Sequence, residues 1–137
     1  MPLVRIDIPA ATPTADIQAL SRAIHGGLVE HFTVPVDDLF QVISRRAPDE
    51  IVCTPQYLGV EHTDRVAIVQ VFLAPGRTVG RKEAFYAQVA REAARTTGFL
   101  ADDVVINLVE TLRENWSFGQ GVAHYAVADR ARPGAVS

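Results

Sequence analysis

Residues 66–73 read VAIVQVFL, an almost continuously apolar run that is typical of a central β-strand. A Pro-Gly pair at residues 75–76 then predicts a turn. An apolar stripe at helical spacing follows, formed by Phe85, Val89 and Ala93. Residues 104–109 (VVINLV) predict the next strand. The segment 66–110 therefore predicts a β-α-β unit, with parallel strands and a helix on one face of the sheet.

The N-terminal part of the chain predicts a second unit of the same kind. Residues 3–8 (LVRIDI) alternate apolar and polar side chains, which indicates a half-buried strand. Residues 12–14 (TPT) predict a helix start, with a capping hydroxyl and a proline in the first turn. The apolar stripe of this helix consists of Ile17, Leu20, Ile24, Leu28 and Phe32. Residues 34–35 (VP) end the helix, and residues 39–43 (LFQVI) predict the second strand.

Two such units side by side predict an α+β fold: a tandem β-α-β repeat with a four-stranded sheet and both helices on one face. We expect one domain over residues 1–130, with halves at about 2–45 and 66–110 and an irregular connection between them. Residues 122–127 predict a short extra strand, and residues 131–137 a loose tail. The other face of the sheet would be bare, so we expect another subunit to cover it.

The composition excludes several classes of partner. The formal net charge of −3 offers no basic face for nucleic acid. No apolar run reaches membrane length and no export signal is visible, so we expect no membrane partner. Cys53 is the single cysteine, which fits a reducing compartment, and we expect a cytoplasmic location. The four histidines do not fall at metal-ligand spacing, and we predict neither a metal nor a cofactor.

Pro2 is the first candidate for chemistry, because the loss of Met1 would give it a free secondary amine. An α-amino group has a pKa near ~7.7–8.0, so modest desolvation or a nearby cation brings the pKa towards neutral pH. An amine with such a pKa can move protons between substrate atoms. It can also attack a carbonyl and form an iminium ion, as lysine does.

The other candidates stand in or near predicted turns. Arg77 lies between the central strand and the second helix, at the sheet edge where ligands usually bind. An arginine there can clamp a carboxylate with two hydrogen bonds or polarise a carbonyl. Asp37 or Asp38, before the second strand, can orient a water or accept a proton. Aromatic residues near the C-terminal turn can form apolar walls, namely Trp116, Phe118 and Tyr125.

Four stretches stand in order along nearly the whole chain: residues 1–7 (MPLVRID), 34–42 (VPVDDLFQV), 76–78 (GRT) and 116–119 (WSFG). This arrangement resembles the tautomerase superfamily and, within it, the malonate semialdehyde decarboxylase group. The resemblance implies the doubled β-α-β fold and a homotrimer. It also implies that Met1 is removed, so that Pro2 becomes the catalytic amine.

Carried over position by position, the resemblance assigns Asp38, rather than Asp37, as the essential aspartate of the group. Arg77 matches one of its substrate-binding arginines. The aromatic wall of the pocket is matched by Trp116, Phe118 and Tyr125.

The chain also departs from the family pattern. Many members place a second arginine two or three positions before the first, where this chain has Ala74 and Pro75. Carboxylate binding would then rest mainly on Arg77 and backbone amides. The related haloacrylate dehalogenases use a histidine and a glutamate at positions that hold Val29 and Ser117 here, which disfavours a dehalogenase.

The residues and the resemblance together favour a cofactor-independent decarboxylase of a small 3-oxo acid such as malonate semialdehyde. Pro2 would act as a general acid or as a Schiff-base former. The alternatives are a keto–enol tautomerase of a 2-keto acid such as phenylpyruvate and a hydratase of an unsaturated acid. A non-catalytic trimeric scaffold or ligand-binding protein is the alternative from another class. The expected partners are a small carboxylate-bearing substrate and further copies of the chain.

Overall fold

The computed structural model describes residues 1–134, which form two β-α-β units, a short hairpin and a C-terminal helix. The strands are β1 (Leu3–Pro9), β2 (Gln41–Arg46), β3 (Gln56–Tyr57), β4 (Val60–Glu61), β5 (Ala67–Leu73) and β6 (Val104–Glu110). The helices are α1 (Thr14–Phe32), α2 (Val79–Thr96) and α3 (His124–Arg130).

The main sheet has the strand order β2-β1-β5-β6. Strands β1 and β2 are parallel, as are β5 and β6, whereas β1 and β5 run antiparallel and join the two units. The α+β fold class predicted from the sequence, with its doubled β-α-β unit, is confirmed. This topology brings the starts of β1 and β2 and the ends of β5 and β6 to one edge of the sheet.

The core lies between one face of the sheet and the two long helices. Strand β5 alternates buried and half-buried residues along its whole length, with Ala67, Val69, Val71 and Leu73 facing the helices. Helices α1 and α2 pack directly on one another, and Phe32 and Phe85 meet with ring centroids 4.8 Å apart. Gly27 permits this close approach, because a Cβ placed there would lie 3.0 Å from Cδ2 of Phe85.

The prediction of a strand over residues 122–127 is wrong, since residues 124–130 form helix α3. The Val127 amide donates to the Ala123 carbonyl at 3.0 Å, which is a helical hydrogen bond. In a helix the side chain of Tyr125 can pack on Arg113 and Phe118, so tertiary contacts override the local strand preference.

The start of α1 also differs from expectation. Thr12 does not cap the helix; its buried hydroxyl donates to the Pro9 carbonyl at 2.7 Å. Pro13 occupies the N-cap position without a side-chain hydrogen bond, and Thr14 is the first helical residue. The preceding chain instead folds into a turn that closes on the end of β1.

The connection between the two halves is not wholly irregular, because β3 and β4 form a hairpin through Leu58 and Gly59, both at positive φ. Of the expected tail, residues 131–134 form turns and a bend, and residues 135–137 lie outside the described residues. No helix in the described part of the chain is long and apolar enough to span a membrane.

Candidate active site

The candidate site lies at the sheet edge where four chain segments meet. Pro2 immediately precedes β1, and Asp38 stands three residues before β2. Arg77 follows β5, and residues 111–118 follow β6. The parallel and antiparallel pairings thus bring together residues that are far apart in sequence, including every site residue predicted from it.

The N-terminal amine and Asp38 lie next to one another. The Val4 amide donates to the Phe40 carbonyl at 2.9 Å, which fixes the segment before β2 beside the start of β1. The nitrogen of Met1 lies 3.9 Å from Oδ2 of Asp38. Asp37, by contrast, is exposed. Of the two aspartates that the sequence offered, the geometry places Asp38 at the amine.

The second carboxylate oxygen of Asp38 has no hydrogen-bond partner. Within residues 1–134, Oδ1 is the single fully buried side-chain nitrogen or oxygen without one. An unsatisfied buried polar atom costs about 1–3 kcal/mol, and more when it is charged. The site therefore favours a hydrogen-bond donor at this oxygen, such as a water or a protonated group of a ligand.

Arg77 is held at the site by backbone carbonyls. Its Nη1 donates to the Ala74 carbonyl at 2.9 Å and its Nη2 to the Phe32 carbonyl at 3.2 Å. Phe32 is the last residue of α1, so the guanidinium meets a helix C-terminus, which favours positive charge. Burial lowers the pKa of Arg77 from its ordinary value.

The three predicted aromatic residues form one continuous wall. Trp116 stacks on Phe118 with centroids 5.7 Å apart, and Phe118 meets Tyr125 edge-on at 5.2 Å. The indole of Trp116 donates to the hydroxyl of Thr111 at 2.8 Å, which fixes the ring. The three rings, each half-buried, give this edge of the sheet an apolar surface.

His124 supports the wall, a role that sequence reasoning missed. The Phe118 amide donates to Nδ1 of His124 at 3.2 Å, so this nitrogen accepts and carries no proton. The imidazole also packs against the Phe118 ring, with centroids 5.7 Å apart. From the sequence, His124 could be considered only as a metal ligand, for which its spacing is unsuitable.

Arg113 is the second residue that sequence reasoning missed. Its guanidinium lies over the ring of Tyr125, 4.1 Å from the centroid. It also forms a forked pair with Asp129, in which Nε and Nη2 each donate over 2.9 Å. The available signal was its place three residues after β6, at the same sheet edge as Arg77.

Neighbouring charges shift the pKa of the terminal amine in both directions. Burial is the main cause that lowers the pKa of the Met1 amine. The negative charge of Asp38 raises this pKa, whereas Arg77 and Arg113 lower it. Burial also raises the pKa of Tyr125, as does the Asp38 charge, and the same two arginines oppose the rise.

A cavity of about 580 Å³ lies at the opposite end of the sheet, where β1 and β2 end. Its two arginines are engaged elsewhere: Arg46 pairs with Asp7 at 2.8 Å, and Arg65 lies 3.9 Å from Asp16. The terminal amine and the aromatic wall are absent from its lining. We therefore locate the candidate site at the Pro2 edge.

Comparison with known proteins shows which family the chain is similar to. Residues 38–119 match the family model described as "Tautomerase enzyme". The chain is 37% identical to "Probable tautomerase YusQ" of Bacillus subtilis (strain 168), over 90% of this chain and 97% of the relative.

Solved structures show the same similarity. FG41 malonate semialdehyde decarboxylase inhibited by 3-bromopropiolate has a TM-score of 0.85 and 32% identity, covering 96% of this chain and 99% of that one. A malonate semialdehyde decarboxylase described with decarboxylase and hydratase activities has a TM-score of 0.84 and 33% identity, covering 93% and 98%. A fused 4-OT symmetric trimer has a TM-score of 0.72 and 22% identity, covering 90% and 98%, and shares the fold.

Proposed function

Because this chain belongs to the tautomerase family of enzymes, we propose that it decarboxylates a small 3-oxo acid with the N-terminal amine of Pro2, after Met1 is removed. Malonate semialdehyde is the substrate we propose to test first. The similarity to two malonate semialdehyde decarboxylases supports this choice over other reactions of the family.

One observation carries the proposal: the start of β1 places the terminal amine beside the half-buried carboxylate of Asp38. The charges of Arg77 and Arg113 lower the pKa of this amine. While Met1 is attached, the nitrogen of Pro2 is an amide and neither donates nor accepts a proton. Removal of Met1 would convert it to a secondary amine at the same edge.

The chemistry requires a place for the electron pair that the departing carbon dioxide leaves behind. In one route, a protonated Pro2 and Arg77 stabilise the negative charge that grows on the carbonyl oxygen. Carbon dioxide leaves, an enolate forms, and a proton returned to carbon gives the aldehyde. Asp38 would align the substrate or orient a water.

In a second route, neutral Pro2 attacks the carbonyl carbon and water leaves, so that an iminium ion accepts the electron pair. Protonation of the resulting enamine and hydrolysis release the aldehyde and the free amine. Borohydride separates the two routes, because it reduces the iminium to a stable adduct on Pro2. An adduct of the expected mass supports the second route, and its absence during turnover supports the first.

A keto–enol tautomerase of a 2-keto acid such as phenylpyruvate is the second candidate. The similarity to a relative named as a probable tautomerase favours it. There neutral Pro2 would take a proton from one atom and return it to another, while Arg77 holds the carboxylate. Hydration of an unsaturated acid is the third candidate, and a non-catalytic trimeric scaffold remains the alternative from another class.

A parallel assay tests these candidates. Wild-type protein whose intact mass lacks Met1 is given malonate semialdehyde, phenylpyruvate and propiolate, beside the variants Pro2→Ala and Arg77→Ala. We expect the highest kcat/KM with malonate semialdehyde and a large loss in both variants. Turnover no faster than in buffer for all three proteins on every substrate would favour the scaffold, and equal turnover above buffer would contradict the roles of Pro2 and Arg77.

We also propose that the chain assembles as a homotrimer. Ile68, Gln70 and Phe72 alternate with the buried residues of β5, so they lie on the face that carries no helix. Phe72 also shares a shallow cavity with Trp116 of the aromatic wall. A subunit that covers this face would therefore border the site. The trimeric assembly of a protein with the same fold supports this proposal, and a cytoplasmic location stays a prediction.

A further inference from the structure

A groove beside the site contains charged side chains, whereas the turn after β5 contributes only small ones to it. Its volume is about 520 Å³, and its lining includes Ala74, Pro75, Arg113, Glu114, Asp129 and Arg130. Ala74 and Pro75 supply no cation to bind an anionic group of a substrate. Arg113 enters the same groove from the opposite side, on the turn after β6.

Arg113 is fixed in place through two of the three nitrogens of its guanidinium. Asp129 accepts from Nε and Nη2, and the ring of Tyr125 packs against the guanidinium plane. Within residues 1–134, the Nη1 of Arg113 makes no hydrogen bond to an acceptor. A guanidinium fixed in this manner loses little conformational entropy when it binds a ligand.

The carboxylate of Asp129 is shared between two cations. It also faces Arg132, whose Nη1 lies 3.6 Å from Oδ1. The groove itself is lined by two arginines, Arg113 and Arg130, and by two carboxylates, Glu114 and Asp129. An incoming carboxylate would therefore pair with Arg113 through Nη1, the nitrogen that Asp129 does not contact.

We propose that Arg113 binds the carboxylate of the substrate, in place of the second arginine that is absent at Ala74 and Pro75. This inference rests on the proposed function, and it names the substrate class more narrowly: an acid whose free carboxylate reaches the groove while its reactive carbon faces Pro2. Arg77 then acts on the oxygen that develops charge. A neutral ester of the same acid loses the contact with Arg113.

A pair of matched probes tests the role of Arg113 without requiring turnover. The acid 3-bromopropiolate and its methyl ester are each incubated with protein whose mass lacks Met1, and the rate of covalent adduct formation on Pro2 is followed by mass spectrometry. A charge-assisted hydrogen bond corresponds to about 10- to 100-fold in rate. We expect Arg113→Met to slow labelling of Pro2 by the acid by that factor. Labelling by the ester should change by less than about 2-fold.

Three variants serve as controls. Arg130→Met removes the same charge from another arginine of the groove and should keep the wild-type ratio of acid to ester rates. Arg113→Lys should recover part of the acid rate. Asp129→Asn breaks the ion pair but retains Arg113, and should keep a preference for the acid.

The outcomes separate this inference from the function on which it rests. If the wild-type protein forms no adduct on Pro2 with either probe, the proposed function fails and this inference fails with it. If Pro2 is labelled but Arg113→Met keeps the wild-type ratio, only the role of Arg113 is overturned. If Arg113→Met and Asp129→Asn slow labelling by the acid and by the ester equally, Arg113 has a structural role in holding α3. If Arg130→Met also loses the preference for the acid, the effect is one of general charge. Either result overturns the inference.

Discussion

The amine of Met1 lies 3.9 Å from Oδ2 of Asp38, one residue before the nitrogen that removal of Met1 would free on Pro2. The two groups meet because β1 and β2 are parallel neighbours, and each group lies just before the start of its strand. Among residues 1–134, no group donates a hydrogen bond to the other carboxylate oxygen, which is buried. The fold thus holds a charged group at the site at a cost in stability, which is a common feature of functional sites.

Substitution at Asp38 should shift the titration of the terminal amine. The Asp38 charge raises the pKa of the Met1 amine. We expect it to act in the same direction on the amine of Pro2, so Asp38→Asn should lower the pKa of that amine. Arg77 acts in the opposite direction, and Arg77→Met should raise it. The measurement is the pH dependence of Pro2 labelling, since only the neutral amine reacts.

The control for this prediction is Asp37→Asn, which changes the neighbouring and exposed aspartate. It should leave the labelling profile close to that of the wild type. A shift of the profile towards higher pH in Asp38→Asn, or equal shifts in Asp37→Asn and Asp38→Asn, would contradict the assignment of Asp38.

Adjacent glycines of α1 provide a test of the packing between α1 and α2. At Gly27, an added Cβ would lie 3.0 Å from Phe85 and 3.1 Å from Val89, both fully buried. Overpacking of this kind costs about 1–3 kcal/mol, which exceeds the helix-propensity gain of about 0.5–1 kcal/mol. Gly27→Ala should therefore lower the free energy of unfolding.

The matched variant is Gly26→Ala, whose added Cβ meets no atom within 4 Å. It should raise the free energy of unfolding by about 0.5–1 kcal/mol. Urea denaturation at one fixed protein concentration measures both changes. Stabilisation by Gly27→Ala would show that the two helices can move apart, and would contradict the close packing of α1 on α2 at Gly27.

The sequence predicts the main sheet and the two long helices because their apolar spacing matches the face that they bury. The stripe Phe85, Val89 and Ala93 is fully buried, as its spacing indicates. The prediction fails for α3, because its conformation depends on contacts with Arg113 and Phe118 rather than on its own pattern. Local pattern is informative only where one face of an element is buried along its length.

Part of the candidate site could also be predicted from the pattern of the strands. Pro2, Asp38 and Arg77 stand at the ends of predicted strands, so a correct sheet brings them to one edge. Arg113 has the same position after β6, and that position is the one signal it offers, because the stretch around it is mixed and polar. Its role depends on the ring of Tyr125 and the carboxylate of Asp129, which approach only in the folded chain.

A charge on the bare face of the sheet should dissociate the proposed trimer. Phe72 is half-buried there, and a glutamate at this position would be forced into an apolar interface. Phe72→Glu should sediment with the mass of one chain, whereas the wild type should have the mass of three. Leu100→Glu, at a position that is exposed before β6, should keep the trimer.

Equal sedimentation of Phe72→Glu and the wild type as single chains would contradict the homotrimer. Retention of three chains in Phe72→Glu would place the interface on another surface.

The rate of decarboxylation by Pro2→Ala shows whether the N-terminal amine carries the reaction. Wild type and variant are compared on malonate semialdehyde, after their intact masses show that Met1 is absent from the wild type. Loss of a positioned acid–base group reduces the rate by about 10²- to 10⁴-fold, and we predict a decrease of that size in kcat. A variant as active as the wild type, or a wild type that decarboxylates with Met1 still attached, would contradict the account.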